Sequence, residues 1–280
     1  MNNKSCALFR AANLCLLDYP FEAALASALS ICDEAVIVTG NSQDRTFDWL
    51  ISLQSKYGWN RVHVAYQKFH YDRGWQERWW NFAITLTTAD WLFYVDADEV
   101  IHEDDAPTLR HLMADHGLIR FDFLNFFGTP GYVRTSRHLN ARLGRRSRGW
   151  HMENWCSDEH PDWPACQMVY EGLEAHSAYQ GPGTDGPFNM YHYGHCRDAQ
   201  ALAISTAKHH AWYADGDGLE NGRTPHVEPT DFDLPGNLAN GVIRSYEGGT
   251  HPAVMDDWLS SHAEAWRELE SEQLWQKERV

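Results

Sequence analysis

Three carboxylates within four residues, Asp96, Asp98 and Glu99, follow directly on the apolar run Trp91–Val95. The run WLFYV shows no alternation, as expected of a strand buried on both faces of a parallel sheet. A buried strand that ends in carboxylates delivers them to the carboxyl edge of a sheet, where open α/β folds place ligands. Hard oxygen donors held at such an edge suit Mg2+ or Mn2+ shared with a phosphate. The same residues also read as a solvated turn leading into a helix, because a bare Asp-x-Asp is a short pattern. The surrounding residues have to decide.

Other chemistry-bearing residues lie further along. Glu153, Asp158, Glu159 and Glu171 fall in a stretch, 149–187, rich in Trp, His, Pro and Gly, which predicts loops. His151, Cys156, His160 and Cys166 share that stretch, but their spacing fits no zinc-finger pattern. Trp150, Trp155 and Trp163 offer ring faces on which a sugar can stack. Six arginines between residues 134 and 148 either bind an anionic acceptor or offset the acidic surface around them.

The elements that position these residues follow from pattern. Residues 7–17 read as a first strand and loop, and FEAALASALSI (21–31) as a helix opened by Pro20. EAVIVT (34–39) is a second buried strand, and Gly40-Asn41-Ser42 a turn, with Asp44 placed to cap the next helix. RVHVA (61–65) is a third strand, and residues 76–86 a helix carrying Trp79, Trp80, Phe82 and Ile84. Strand–helix alternation of this kind implies right-handed crossovers and a parallel sheet. A helix over 103–117, a strand over 118–127, a strand end at 188–195 and a helix from about 198 to 215 come next. Residues 216–252 are rich in Gly, Pro and Asp, as in a long loop or lid, and 254–279 form a charged amphipathic helix.

Composition bounds the function. A chain of 280 residues with 43% hydrophobic and 13% aromatic content has ample material for a folded core. Its net charge of −16 argues against sequence-independent nucleic-acid binding. No apolar run reaches membrane-spanning length, and the first residues make a poor signal peptide but a fair strand. Six cysteines without a C-x-x-C pair are most simply reduced thiols, so a cytoplasmic location is expected.

DEAVIVTGNSQDRT, then a helix with Asn81, then DWLFYVDADE together resemble the first half of a family-2-type glycosyltransferase with the A-type (GT-A) fold. The resemblance covers residues 5–130 well and 188–252 loosely, and implies an α/β fold. The expected architecture is a mixed, mainly parallel sheet flanked by helices, with a C-terminal loop and helix extension. It implies a domain over 1–200, divided into a nucleotide-sugar half (1–117) and an acceptor half (118–200), followed by a helical and lid extension over 201–280. The donor would be a nucleotide-diphosphate sugar, a UDP-sugar first among them, contacted by Thr39, Asn41, Asp44, Arg78, Asn81 and Asp96. Thr39-Gly40 stands where the family usually has an acidic residue for uracil, which leaves the base open. Asp96 would face the ribose or a Mn2+ or Mg2+ ion, Asp98 would bind that ion, and Glu99 would buttress the turn. His192, in YHYGH, resembles the downstream histidine that is a third metal ligand in related enzymes, with His195 as its alternative. Arg197 and Lys208 would neutralise the diphosphate.

Transfer of a sugar to a hydroxyl acceptor, such as a carbohydrate, also needs a general base. Asp158, with Glu159 next, is favoured, because WCSDEH sets a polar pair among aromatic residues where a raised pKa is plausible. The resemblance implies inversion at the anomeric carbon. Three rival readings stand beside it. A sugar-nucleotide pyrophosphorylase would need a Gly-rich basic N-terminal loop, and residues 11–18 hold no glycine. A carbohydrate-binding protein with a degenerate site conflicts with the intact Asp96-Ala97-Asp98. Sugar transfer to a modified base in nucleic acid is permitted by the arginines and opposed by the net charge.

Overall fold

A computed structural model describes residues 4–68, 75–136, 139–157, 160–170, 173–174, 184–205 and 234–277. Four strands, β1 (Ser5–Ala11), β2 (Glu34–Thr39), β3 (Val62–Tyr66) and β4 (Trp91–Val95), lie parallel in the order β4-β1-β2-β3. They alternate with helices α1 (Phe21–Ile31), α2 (Thr46–Tyr57) and α3 (Trp75–Thr85).

The uninterrupted apolar runs are explained by what covers each face. On β1, Ala7, Phe9 and Ala11 join Trp91, Phe93 and Val95 of β4 in one core with α1 and α2 residues such as Phe21, Leu25 and Leu50. The alternate residues Cys6, Leu8, Leu92 and Tyr94 pack on the opposite side against Trp79, Trp80 and Ala83 of α3. Both faces are covered along the middle of these strands, so apolar residues fill both phases there and polar ones such as Ser5, Arg10, Glu34 and Thr39 stand near the strand ends. Trp80 and Trp150 each meet the Tyr94 ring edge-on, at 5.1 and 5.3 Å.

After β4 the chain turns through the carboxylates into a short strand β5 (Glu99–Ile101), a 3-10 turn and helix α4 (Ala106–Asp115). Strands β6 (Leu118–Phe127), β7 (Thr129–Arg134) and β8 (Leu139–Arg145) extend the sheet antiparallel, with β8 pairing both β4 and β6. β9 (His151–Ser157), β10 (His160–Tyr170) and β11 (Leu173–Glu174) form a separate three-stranded sheet. β12 (Thr184–His195) returns to the main sheet between β5 and β6, parallel to β6 and antiparallel to β5. Residues 199–205 are helical. A short helix α5 (Leu234–Ala239), strand β13 (Ile243–Ser245) beside β7, and helix α6 (Asp256–Lys277) complete the described chain. The sheet is therefore mixed, flanked by helices and parallel through its N-terminal half, as the resemblance implied.

Two expectations are corrected. Residues 151–170, read as loop from their Pro, Gly and His content, pair as the antiparallel strands β9 and β10. Strand propensity is a weak guide where cross-strand partners supply the backbone hydrogen bonds. Of the expected lid, residues 216–233 lie outside the described residues, but 243–245 form a strand of the main sheet. Among the described residues no helix is long and apolar enough to cross a membrane.

Candidate active site

The carboxylates emerge at the carboxyl edge of the parallel strands, and the turn holding them is braced from within. Glu99 Oε2 accepts from the Asp96 backbone N–H at 3.0 Å, the buttress expected of it. The Asp98 carbonyl accepts from the Tyr193 N–H at 3.0 Å, which clips the turn to β12.

Each carboxylate has a different partner. Arg10, at the end of β1, donates to Asp96 Oδ1 at 2.9 Å, and its guanidinium lies 5.1 Å over the Trp80 ring. Arg142 of β8 donates to Asp96 Oδ2 at 3.4 Å and closely to Glu99 Oε1, while stacking 5.1 Å over Phe123. Burial pushes the Asp96 carboxyl up, but the Arg10 and Arg142 guanidiniums outweigh it and hold Asp96 below the usual carboxylate range. Glu99 goes the other way. Burial, aided by the nearby charges of Asp96 and Asp98 and only partly opposed by Arg142, raises it to about 8.

Asp98 is the carboxylate that faces a histidine. Its Oδ2 lies 3.6 Å from His192 Nε2, and the residue is only 7% exposed. The other ring nitrogen, Nδ1, meets Asn125 Oδ1 at 2.9 Å. Gly194 leaves the space between these groups open. A Cβ there would stand 2.7 Å from Asp98 Oδ2 and 2.8 Å from His192 Nε2. The separation of 3.6 Å is too long for a hydrogen bond and wide enough for two donors to share a small divalent cation. One carboxylate and one imidazole, with a glycine leaving room beside them, fit Mg2+ or Mn2+. Among the described residues no three His, Cys, Asp or Glu side chains group closely enough to hold a metal by themselves. Asp96, expected as a further ligand, has its oxygens turned to arginines, and the His195 ring lies 6.0 Å from that of His192.

The remaining expected residues fall at different places. Thr39 ends β2, with its carbonyl accepting from Gln67 N–H at 2.8 Å, and Asn41 turns the chain at φ 50°. Gly40 is required between them, because a Cβ would stand 2.1 Å from the Gln67 carbonyl oxygen. Exposed Tyr66 and Phe47 form an edge-on pair, 6.3 Å apart, near this turn. Asp44 accepts from the backbone N–H groups of Leu16 and Thr46, so it ties the β1 loop to the start of α2. Asn81, expected at the donor, has both polar ends engaged by the Met152 backbone, at 2.8 and 3.1 Å. Arg197, 7% exposed, donates to the carbonyls of Gly194 and Leu17 and lies 4.2 Å over Tyr19. Arg78 is exposed on α3. Asp158, Glu159 and Lys208 lie outside the described residues.

Sequence reasoning missed Arg10, Arg142 and Asn125 as site residues. A signal existed for Arg10, the one charge in the apolar strand SCALFRA, since a charge in a buried strand requires a partner. The arginine cluster is turned largely inward. Arg145 and Arg146 donate to backbone carbonyls of Met113, His116, Ile84 and Thr87.

The mixed α/β sheet thus carries the Asp-x-Asp turn and the downstream histidine together at its carboxyl edge. The chain belongs to the family described as "Glycosyl transferase family 2", whose model matches residues 21–167, more than half of its length. No curated protein sequence matches the chain. Among solved structures it is similar to S. aureus TarS 1-349, with 14% identity over 57% of this chain and 54% of that one and a TM-score of 0.40. It is also similar to the glucosyl-3-phosphoglycerate synthase of Mycobacterium tuberculosis, solved with Mn2+, UDP-glucose and phosphoglyceric acid. There the identity is 17%, over 44% of either chain, and the TM-score 0.28. The chain thus spans about half the length of these solved structures.

Proposed function

We propose that this protein is a divalent-cation-dependent glycosyltransferase that moves a sugar from a nucleoside diphosphate sugar to a hydroxyl acceptor with inversion. The observation that carries this reading is the Asp98–His192 donor pair at the carboxyl edge of the parallel strands, with Gly194 leaving room beside it. Asp98 Oδ2 and His192 Nε2 would hold Mn2+ or Mg2+, with donor phosphate oxygens completing the shell. Bound there, the ion stabilises the charge that develops on the departing diphosphate.

The chain's own residues do the rest. Arg10 and Arg142 keep Asp96 ionised and fixed, so that its carboxylate presents an acceptor edge to the ribose hydroxyls. The Thr39-Gly40-Asn41 turn, with Tyr66 and Phe47 alongside, offers a platform for the base, and UDP-sugars are the first donors to test. Asp44, Asn81 and Arg197, also assigned to the donor, act through their bonds to the backbone, which brace the loops they join. Asp158, with Glu159 as the alternative, takes the acceptor's proton from the β9–β10 connection. Trp150, buried against Tyr94, belongs to the core and not to a sugar-stacking face. The inward use of Arg142, Arg145 and Arg146 weakens the nucleic-acid reading, which needs those charges at the surface.

A thermal-shift series with UDP, GDP, ADP and CDP, with and without Mn2+, tests the reading, because a ligand of the native state raises stability by mass action. One nucleotide should shift the melting temperature only when Mn2+ is present, and Asp98→Ala should remove that shift while leaving the metal-free melting temperature unchanged. Equal shifts with and without Mn2+, or an unaltered Asp98→Ala response, would refute the metal assignment.

A further inference from the structure

We propose that Asn125 is a positioning residue that fixes the tautomer of His192 and thereby makes its Nε2 the electron-pair donor that faces Asp98. The proposal rests on the reading of Asp98 and His192 as a cation site, and it adds a residue from a different strand to that site.

The pair is built by the sheet. Asn125 on β6 and His192 on β12 are direct register partners in a parallel ladder, so their side chains stand next to each other on one face. A slip of one residue would turn Asn125 to the other face and leave the ring without this neighbour. On the far side of β12, His192 is in register with Glu99 of β5, which brings the carboxylate turn to the same place.

The tautomer follows from the two ring contacts. Asn125 Oδ1 lies 2.9 Å from Nδ1 and can only accept, so Nδ1 carries the hydrogen. Nε2 is then left with its lone pair, directed toward a carboxylate oxygen 3.6 Å away. The opposite arrangement has a definite signature. If the Asn125 amide donated to Nδ1, Nε2 would carry the hydrogen and aim it at Asp98. Charge-assisted N–H···O bonds close to about 2.7–2.9 Å. The observed gap is well beyond that. Two electron-rich atoms stand near each other without a proton between them, an arrangement that a cation relieves and that a hydrogen bond does not describe. Gly194 supports this assignment independently, because any Cβ would fill the space beside both atoms. An imidazole ligand whose remote N–H is held by an outer acceptor is fixed in orientation and made more basic, and loss of such an acceptor costs roughly 10–100-fold in metal affinity.

The test has two readouts. The first is long-range proton–nitrogen NMR on the metal-free protein labelled at histidine nitrogens, with the His192 signals assigned by their disappearance in His192→Gln. Wild-type His192 should be protonated at Nδ1 and unprotonated at Nε2, and this needs no variant at Asn125. The second is Mn2+ affinity in the presence of the stabilising nucleoside diphosphate, followed by electron paramagnetic resonance. Asn125→Leu, which keeps the size and removes the acceptor, should weaken Mn2+ by about 10–100-fold. Asn125→Asp, which restores an acceptor, should recover most of it. A proton on Nε2 in the wild type, or equal Mn2+ affinity in Asn125→Leu and wild type, overturns the proposal. A wild-type protein that binds no Mn2+ with any nucleotide overturns instead the cation reading beneath it, while the NMR result still decides the tautomer.

Discussion

Strands β1, β2 and β4 are apolar almost throughout, whereas β6 and β12 set Asn125 and His192, side by side on one face, among Phe and Tyr residues. The first group lies between two packed layers, so its sequence records burial, with Arg10 at the end of β1 the exception. The second group has one face on the core and another on the site, and its sequence records both. The two regions also use glycine differently. Gly40, in the first, lets two backbones approach within a distance no Cβ tolerates. Gly194, in the second, keeps clear the ends of the Asp98 and His192 side chains. The same residue type therefore makes room for backbone in one region and for side-chain ends in the other.

The sharpest test of this contrast is the pair of alanine substitutions. Gly194→Ala should abolish Mn2+-dependent nucleotide binding with a smaller change in melting temperature than Gly40→Ala, because the added methyl meets the ends of the Asp98 and His192 side chains and not backbone. Gly40→Ala should do the reverse, lowering the melting temperature in the absence of any ligand. Retained Mn2+ dependence in Gly194→Ala, measured by thermal shift, would erase the distinction.

Next in size is Arg142→Met. Removing the guanidinium shared by Asp96 and Glu99 leaves Asp96 with Arg10 alone and the buried Glu99 without its cationic partner, a loss of up to about 3–5 kcal/mol by the usual measure of broken buried pairs. Urea denaturation should show that loss, and a change under 1 kcal/mol would mean that the pair behaves like an exposed one.

A smaller effect is expected from the proposed base. Asp158→Asn should reduce turnover by about 10²-fold or more with donor affinity preserved. Steady-state kinetics that show unchanged turnover would transfer the role to Glu159.

The smallest predicted effect lies far from the chemistry. His262 of α6 bonds Asp18 at 2.7 Å, which joins the C-terminal helix to the β1 loop. Burial lowers the His262 pKa, but the hydrogen bond and charge of Asp18 outweigh it and raise it. Asp18 is pushed up by burial and brought below its ordinary value by His262 and the Asp198 N–H. A raised histidine stabilises the fold fully below its unfolded pKa of about 6.5, and that stability is lost as pH rises through the folded value. A lowered aspartate stabilises above about 3.9, and that stability is lost as pH falls through the folded value. The pair should therefore contribute most between roughly pH 4 and 6.5. His262→Gln should cost about 1–2 kcal/mol there and less at pH 8, as read from denaturation curves at both pH values. A pH-independent difference would show that His262 acts only through its stacking on Trp258 and Trp266.

Much of the nucleotide half was legible because its signals are local. The strands Glu34–Thr39, Trp91–Val95 and Leu118–Phe127 and helix Phe21–Ile31 follow from runs, periodicity and breakers within about a dozen residues. β9 and β10 escaped because their partners are each other, and Pro161 and Pro164 masked the pairing.

The sequence by itself determined that carboxylates would stand at the end of a buried strand, and that a histidine would arrive near a second strand end. Both depend only on the order of residues along a chain segment that is extended and dry. Which carboxylate meets which partner was decided by the tertiary structure. Asp96 faces Arg10 and Arg142 from strands 86 and 46 residues away, and His192 meets Asn125 across a gap of 67. Those pairings are set by the register of β4 against β1 and β8 and of β12 against β6. Register is a property of whole strands packed on a core, and no short stretch of sequence carries it.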